Sequence, residues 1–205
     1  MGQGPKPTRR TSYTTKGGVG ATFNEAARRV QNRIRGLKKE QGYFLNENGD
    51  VLHKIKGKGN EVAIPKEVTN DIEDRILYGK QKIGFIHNHP DGGTFSAEDV
   101  WTMTKRGITE YRATSKDGTY VLKTESGGPM YDMRFATGAQ DAYTKAWDEA
   151  DKASKAEAST RTFKNYQERA EWRAAYETKY IQSAMDRYYR ENAKKYKLIY
   201  QHIAN

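Results

Sequence analysis

An α+β fold, a small sheet flanked by helices with a helical C-terminal extension, follows from three features of this 205-residue sequence. Between residues 22 and 137, short apolar runs of strand type alternate with segments of helical spacing. An Asn-Gly pair stands between two of those runs, and it is a strong hairpin signal. After Gly138 the chain has neither Gly nor Pro, is rich in Ala, Lys, Glu and Arg, and holds eight of the fourteen tyrosines, a helical composition. Residues 1–21 have almost nothing to bury and read as a flexible basic lead. The predicted organisation is therefore a lead over 1–21, a domain over 22–137 and an α-helical extension over 138–205.

Taken in order, Thr22 and Glu25 have capping-box spacing, and Phe23, Ala27, Val30, Ile34 and Leu37 predict a first helix to about Lys39. Tyr43-Phe44-Leu45 and Val51-Leu52 flank the turn at Asn48-Gly49 and form a hairpin. Glu61 to Ile64 is expected as a third strand, stopped by Pro65, which suits the first turn of a helix through Val68, Ile72, Ile76 and Leu77. Ile83-Gly84-Phe85-Ile86 has the pattern of a buried strand and runs directly into His87. Ser96 opens another helix through Val100 and Met103. Ile108 to Ala113 and Thr119 to Leu122, joined by Lys116-Asp117-Gly118, close the domain as a second hairpin.

Composition narrows the function classes. With no cysteine there can be no disulfide framework, Cys-type zinc finger or thiol nucleophile. No apolar run is long enough for a transmembrane helix, and Met1 to Arg10 lacks the apolar stretch of a secretory signal, so no membrane role is expected. A net charge of +10 invites a nucleic-acid partner. Residues 1–40, however, carry 10 basic and 2 acidic side chains, residues 41–137 carry 13 and 14, and residues 138–205 carry 13 and 10. Most of the excess lies within residues 1–40, so nucleic acid is an unfavoured partner, confined to that stretch.

The chemistry concentrates around His87-Asn88-His89-Pro90. Two residues apart at a strand end, His87 and His89 point their imidazoles to one face. Ten residues beyond His89, Asp99 lies in the first turn of the helix opened by Ser96. Two imidazoles and one carboxylate make a three-ligand zinc set that leaves a fourth position for water, the catalytic pattern. Such a site also needs an unligated carboxylate to act as general base and later as acid.

These residues resemble the JAB/MPN (JAMM) zinc metalloproteases, whose mark is an upstream Glu, His-x-His-Pro, a spacer and Ser-x-x-Asp, here Glu40, His87-Asn88-His89-Pro90 and Ser96-Ala97-Glu98-Asp99. The motif wording looks most like the RadC-like bacterial branch, and the resemblance covers about residues 40–124. It implies a JAMM/MPN-like sandwich of a small mixed sheet and helices. It also implies Zn2+ on His87, His89 and Asp99, with Glu40 as catalytic acid/base and Ser96 as oxyanion partner. Glu47 in the hairpin turn and Glu61 at the third strand compete with Glu40. The spacer Asp91-Gly92-Gly93-Thr94-Phe95 has five residues where the family pattern has six, which two glycines make feasible.

Plainer roles exist for several of these residues. Ser96 and Asp99 also form a helix-capping pair, Asp91-Gly92-Gly93 reads as a turn, and His53 and His202 read as structural or exposed. Gly17-Gly18-Val19-Gly20 has no preceding strand and no following Gly-Lys-Ser/Thr, which argues against a phosphate loop. Trp147, Phe163, Tyr166, Trp172, Tyr176, Tyr180, Tyr188 and Tyr196 in the C-terminal helices fit packing or partner docking better than base stacking, because ten acids lie among them. The leading expectation is a zinc-dependent peptidase or isopeptidase acting on a protein or peptide. It would be cytoplasmic in a bacterium, carried by a mobile element, or a toxin-like effector delivered into a target cell without a classical signal peptide. The alternatives are a RadC-like nucleic-acid-associated binder or nuclease, and a non-catalytic MPN scaffold.

Overall fold

The computed structural model describes residues 21–57 and 62–204. Residues 1–20 of the basic lead, Gly17-Gly18-Val19-Gly20 among them, and Glu61 lie outside the described residues, and Ala21 begins the first helix. The fold is α+β: a mixed six-stranded sheet flanked by five helices. The elements run α1 (Ala21–Ile34), β1 (Gln41–Asn46), β2 (Val51–Lys56), α2 (Lys66–Leu77), β3 (Ile83–Asn88), α3 (Ala97–Arg106), β4 (Glu110–Ser115), β5 (Gly118–Thr124), α4 (Met133–Ser159), α5 (Tyr166–Asn192), a 3-10 turn (Ala193–Tyr196) and β6 (Leu198–Ala204). The strand order is β2-β1-β3-β4-β5-β6. Only the β3–β4 pairing is parallel, as its α3 crossover requires.

Sheet alternation sorts the core into two layers. Tyr43, Leu45 and Ile86 face α1, where Phe23, Ala27, Val30 and Ile34 cover them. Phe44, Phe85, Tyr111, Ala113 and Leu122 face the other helices and form the main core with Ile72, Met103, Phe135, Met185 and Tyr189. Every residue of β3 is buried, including His87, which stands one position before the strand's last residue.

Several sequence expectations are corrected. Gly36, at φ 77, ends the first helix well before Lys39, and Leu37 packs from the loop. Thr22 sits inside α1 rather than capping it, and its hydroxyl donates to the Glu47 carbonyl at 3.4 Å. Val62 to Ile64 form no strand; Val62 and Ile64 instead pack on the main core. Pro65 stands one residue before α2, at its N-cap. The hairpin at Asn46–Asp50 is present, with Asn46 Oδ1 accepting the Asn48 and Asp50 amides at 3.0 and 2.9 Å. The predicted helical tail is a helical hairpin plus a strand. After the left-handed Lys197 (φ 56), β6 pairs antiparallel with β5 and closes that side of the sheet.

Candidate metal centre

One strand, the residues that leave it and one helix bring the donors together. His87 lies opposite Gly42 on β1 and beside Ala113 on β4, and the absence of a side chain at Gly42 leaves room for the aromatic column of β3. His89 follows the strand, with its amide tied to the Thr114 carbonyl at 2.9 Å. Asp99 arrives from the first turn of α3, whose start is fixed by a reciprocal capping box: the Asp99 amide donates to Ser96 Oγ at 3.1 Å, and the Ser96 amide donates to Asp99 Oδ2 at 2.8 Å.

The His87 and His89 Nε2 atoms are 2.7 Å apart, His87 Nε2 is 3.3 Å from Asp99 Oδ1, and His89 Nε2 is 3.4 Å from Asp99 Oδ2. His87, His89 and Asp99 are the one His/Cys/Asp/Glu group among the described residues whose donor atoms converge in this way. Metal–ligand bonds of about 2.0–2.1 Å at tetrahedral angles place donors about 3.3 Å apart. The two imidazole–carboxylate separations are of that size, one to each oxygen of Asp99. The shorter imidazole–imidazole contact is a hydrogen-bond distance with one proton between two ring nitrogens. With one donor atom from each residue within 4.8 Å of the others, two imidazoles and a carboxylate make a set suited to a metal ion.

Electrostatics sets the two imidazoles apart. Burial lowers the pKa of His87, which keeps its ring a neutral donor, while its buried Nδ1 has no hydrogen-bond partner of regular geometry. Burial pushes the other two groups toward neutrality but is outweighed. Asp99 raises the pKa of His89 by hydrogen bond and charge, with Glu40 adding to it, and the two histidines hold the Asp99 carboxyl well below its ordinary range.

A cleft of about 860 Å³ opens over the donors. Glu40 lines it, immediately before β1. Glu47 does not line the cleft: it is committed elsewhere, accepting the Lys82 amide at 3.1 Å. Ser96 lines the cleft too, but its hydroxyl donates to Asp99 Oδ2 at 2.8 Å, so the capping role is the one it occupies. His53 pairs with Asp71 at 2.7 Å and His202 stacks on Tyr120 with ring centroids 4.3 Å apart, both remote from the donors.

Sequence reasoning missed Tyr111 and the part that the C-terminal helices play in lining the cleft. Tyr111 packs edge-on to His87, and its hydroxyl is 3.5 Å from Asp99 Oδ1. Burial, with Asp99 and Glu40 adding to it, raises its pKa well above the ordinary phenol value, so it stays a proton donor. Its strand lies opposite β3 in register, a pairing that no local pattern announces. Tyr143, Trp147, Ile181, Gln182 and Met185 of α4 and α5 form a wall of the cleft. No helix among the described residues is long and apolar enough to cross a membrane. No family model matches the chain, and no curated protein matches it.

Proposed function

We propose that this chain is a zinc-dependent peptidase or isopeptidase of JAMM type. The observation that carries the proposal is the convergence of His87, His89 and Asp99 at the floor of a cleft that Glu40 also lines. The three donors would hold the ion. Zinc bound to such a set supplies Lewis acidity, polarising a carbonyl and bringing the pKa of a water toward about 7.

The chain's own groups supply the rest. Glu40 accepts the proton of the attacking water and returns it to the leaving nitrogen. Tyr111, kept protonated by burial, and Ser96, once its hydroxyl rotates from Asp99, are the donors available to a developing oxyanion. Asp99 uses Oδ2 to anchor α3, which leaves Oδ1 toward His87. With four carboxylates, Glu40, Asp91, Glu98 and Asp99, the lining does not favour a polyphosphate substrate.

The test is a zinc titration of the purified protein beside cleavage of a peptide mixture read by mass spectrometry. One zinc per chain is expected, lost in His89→Ala, with cleavage abolished but zinc retained in Glu40→Gln. A protein that takes up no zinc, or a Glu40→Gln variant as active as wild type, refutes the proposal.

A further inference from the structure

We infer that the cleft selects a peptide carrying an acidic side chain about three residues from the cut bond, held by Arg106 at the far end of α3. The inference rests on the peptidase proposal for its substrate class and on separate observations for its specificity. Asp99, Thr102 and Arg106 lie on one face of α3 and all line the cleft. Seven helical positions carry that face about 10 Å along the axis, the length of about three extended residues.

Among the described residues, Arg106 is the only Lys or Arg lining the cleft. Its side chain is 18% exposed, in contrast to the neighbouring, solvent-facing Lys105. Nη1 donates to Glu73 Oε1 at 3.1 Å, and the buried Nε has no partner. The guanidinium fork offers five N–H groups, and a carboxylate is the partner whose geometry it matches. Val62, Ile64, Trp147 and Ile181 also line the cleft, so apolar substrate residues are expected beside the acidic one. A peptide passes the four carboxylates with neutral amides and brings its charge only to Arg106. A nucleic acid would bring a phosphate against each of them.

The test measures binding to the full chain, zinc-loaded and EDTA-treated, by fluorescence anisotropy. The probes are two matched sets of apolar decapeptides, one with a single central Glu and the other with Gln there. The Glu set is expected to bind roughly tenfold more tightly in both preparations. Arg106→Gln brings the ratio to about one, and Arg106→Lys, which keeps charge but not the fork, falls between. A wild-type ratio near one, a ratio unchanged in Arg106→Gln, or displacement of the Glu peptides by a single-stranded oligonucleotide overturns the inference. Should Arg106→Gln melt differently from wild type, the wild-type ratio and Arg106→Lys decide. Failure of the peptidase proposal is read separately, from zinc uptake and cleavage.

Discussion

Gln182, in the middle of α5, donates from Nε2 to the Gly92 carbonyl at 3.0 Å, tying the C-terminal helical hairpin to the loop between His89 and Ser96. A second residue of α5 and one of β6 hold the same loop. Tyr189 donates its hydroxyl to the Phe95 and Ser96 carbonyls at 3.2 and 3.3 Å, and Tyr200 meets Thr94 Oγ1 at 2.6 Å. The loop that sets the spacing between the histidines and Asp99 is thus held from outside the 22–137 segment.

Gly93 is the tightest point of that loop. Its φ of 88 is left-handed, and a Cβ would run into the Gln182 carboxamide. Gly93→Ala is expected to cost about 1–2 kcal/mol in urea unfolding. Gly93→Ala/Gln182→Ala should recover only the part due to the clash, because the backbone strain persists. Full recovery in the double variant would show that φ is not the constraint.

Ser96→Ala removes a helix cap and one of the groups orienting Asp99. A stability loss of about 1 kcal/mol is expected from the cap, together with roughly tenfold weaker zinc binding from the loss of orientation. Unchanged zinc affinity by calorimetry would separate the cap from the donor set.

Ending the chain at Lys197 deletes β6, exposing the β5 edge and removing buried Leu198 and the Tyr200 hydroxyl from Thr94 and Asp186. The melting temperature should fall by about 10 °C, as expected for a loss of several kcal/mol in a chain of this size. A change within a couple of degrees, measured by circular dichroism, would show that β6 contributes little.

Hydrogen bonds from Arg75 and His53 lower the pKa of Asp71. With its folded pKa depressed, the carboxylate contributes stability that is present above the unfolded value of about 3.9 and lost as pH falls through the folded one. The stability gap between wild type and Asp71→Asn should therefore be largest near neutral pH and close in acid. Asp71 is 37% exposed, so the gap should also shrink with salt. Urea titrations at several pH values check this, and an Asp71→Asn penalty as large at about pH 2 as at neutral pH would contradict it.

Legibility in the sequence followed the range of the interactions. The buried strand Ile83–Asn88, the Asn-Gly hairpin and the cap at Ser96 were readable because a local period or turn residue fixes each. The histidine pair and Asp99 were readable because strand period and cap position aim them before any tertiary contact forms. Val62 to Ile64 had strand composition but pair with no strand, and Val62 and Ile64 pack on the main core instead. Leu198 to Ala204 had helical neighbours and became a strand because β5 offered an unpaired edge. Tyr111, Gln182 and Arg106 reach the cleft through pairing and packing, which leave no local trace.

The clamp from Tyr200 to Thr94 spans 106 positions of chain. At about 5–20 residues per second of synthesis, the histidines and Asp99 leave the ribosome some 5–20 s before the strand that fastens their loop. Until α4 and α5 follow, the donors exist without the wall that those helices form, so the finished cleft is a late product of translation. Any cation captured by the nascent chain meets a more open site than the one the folded protein presents.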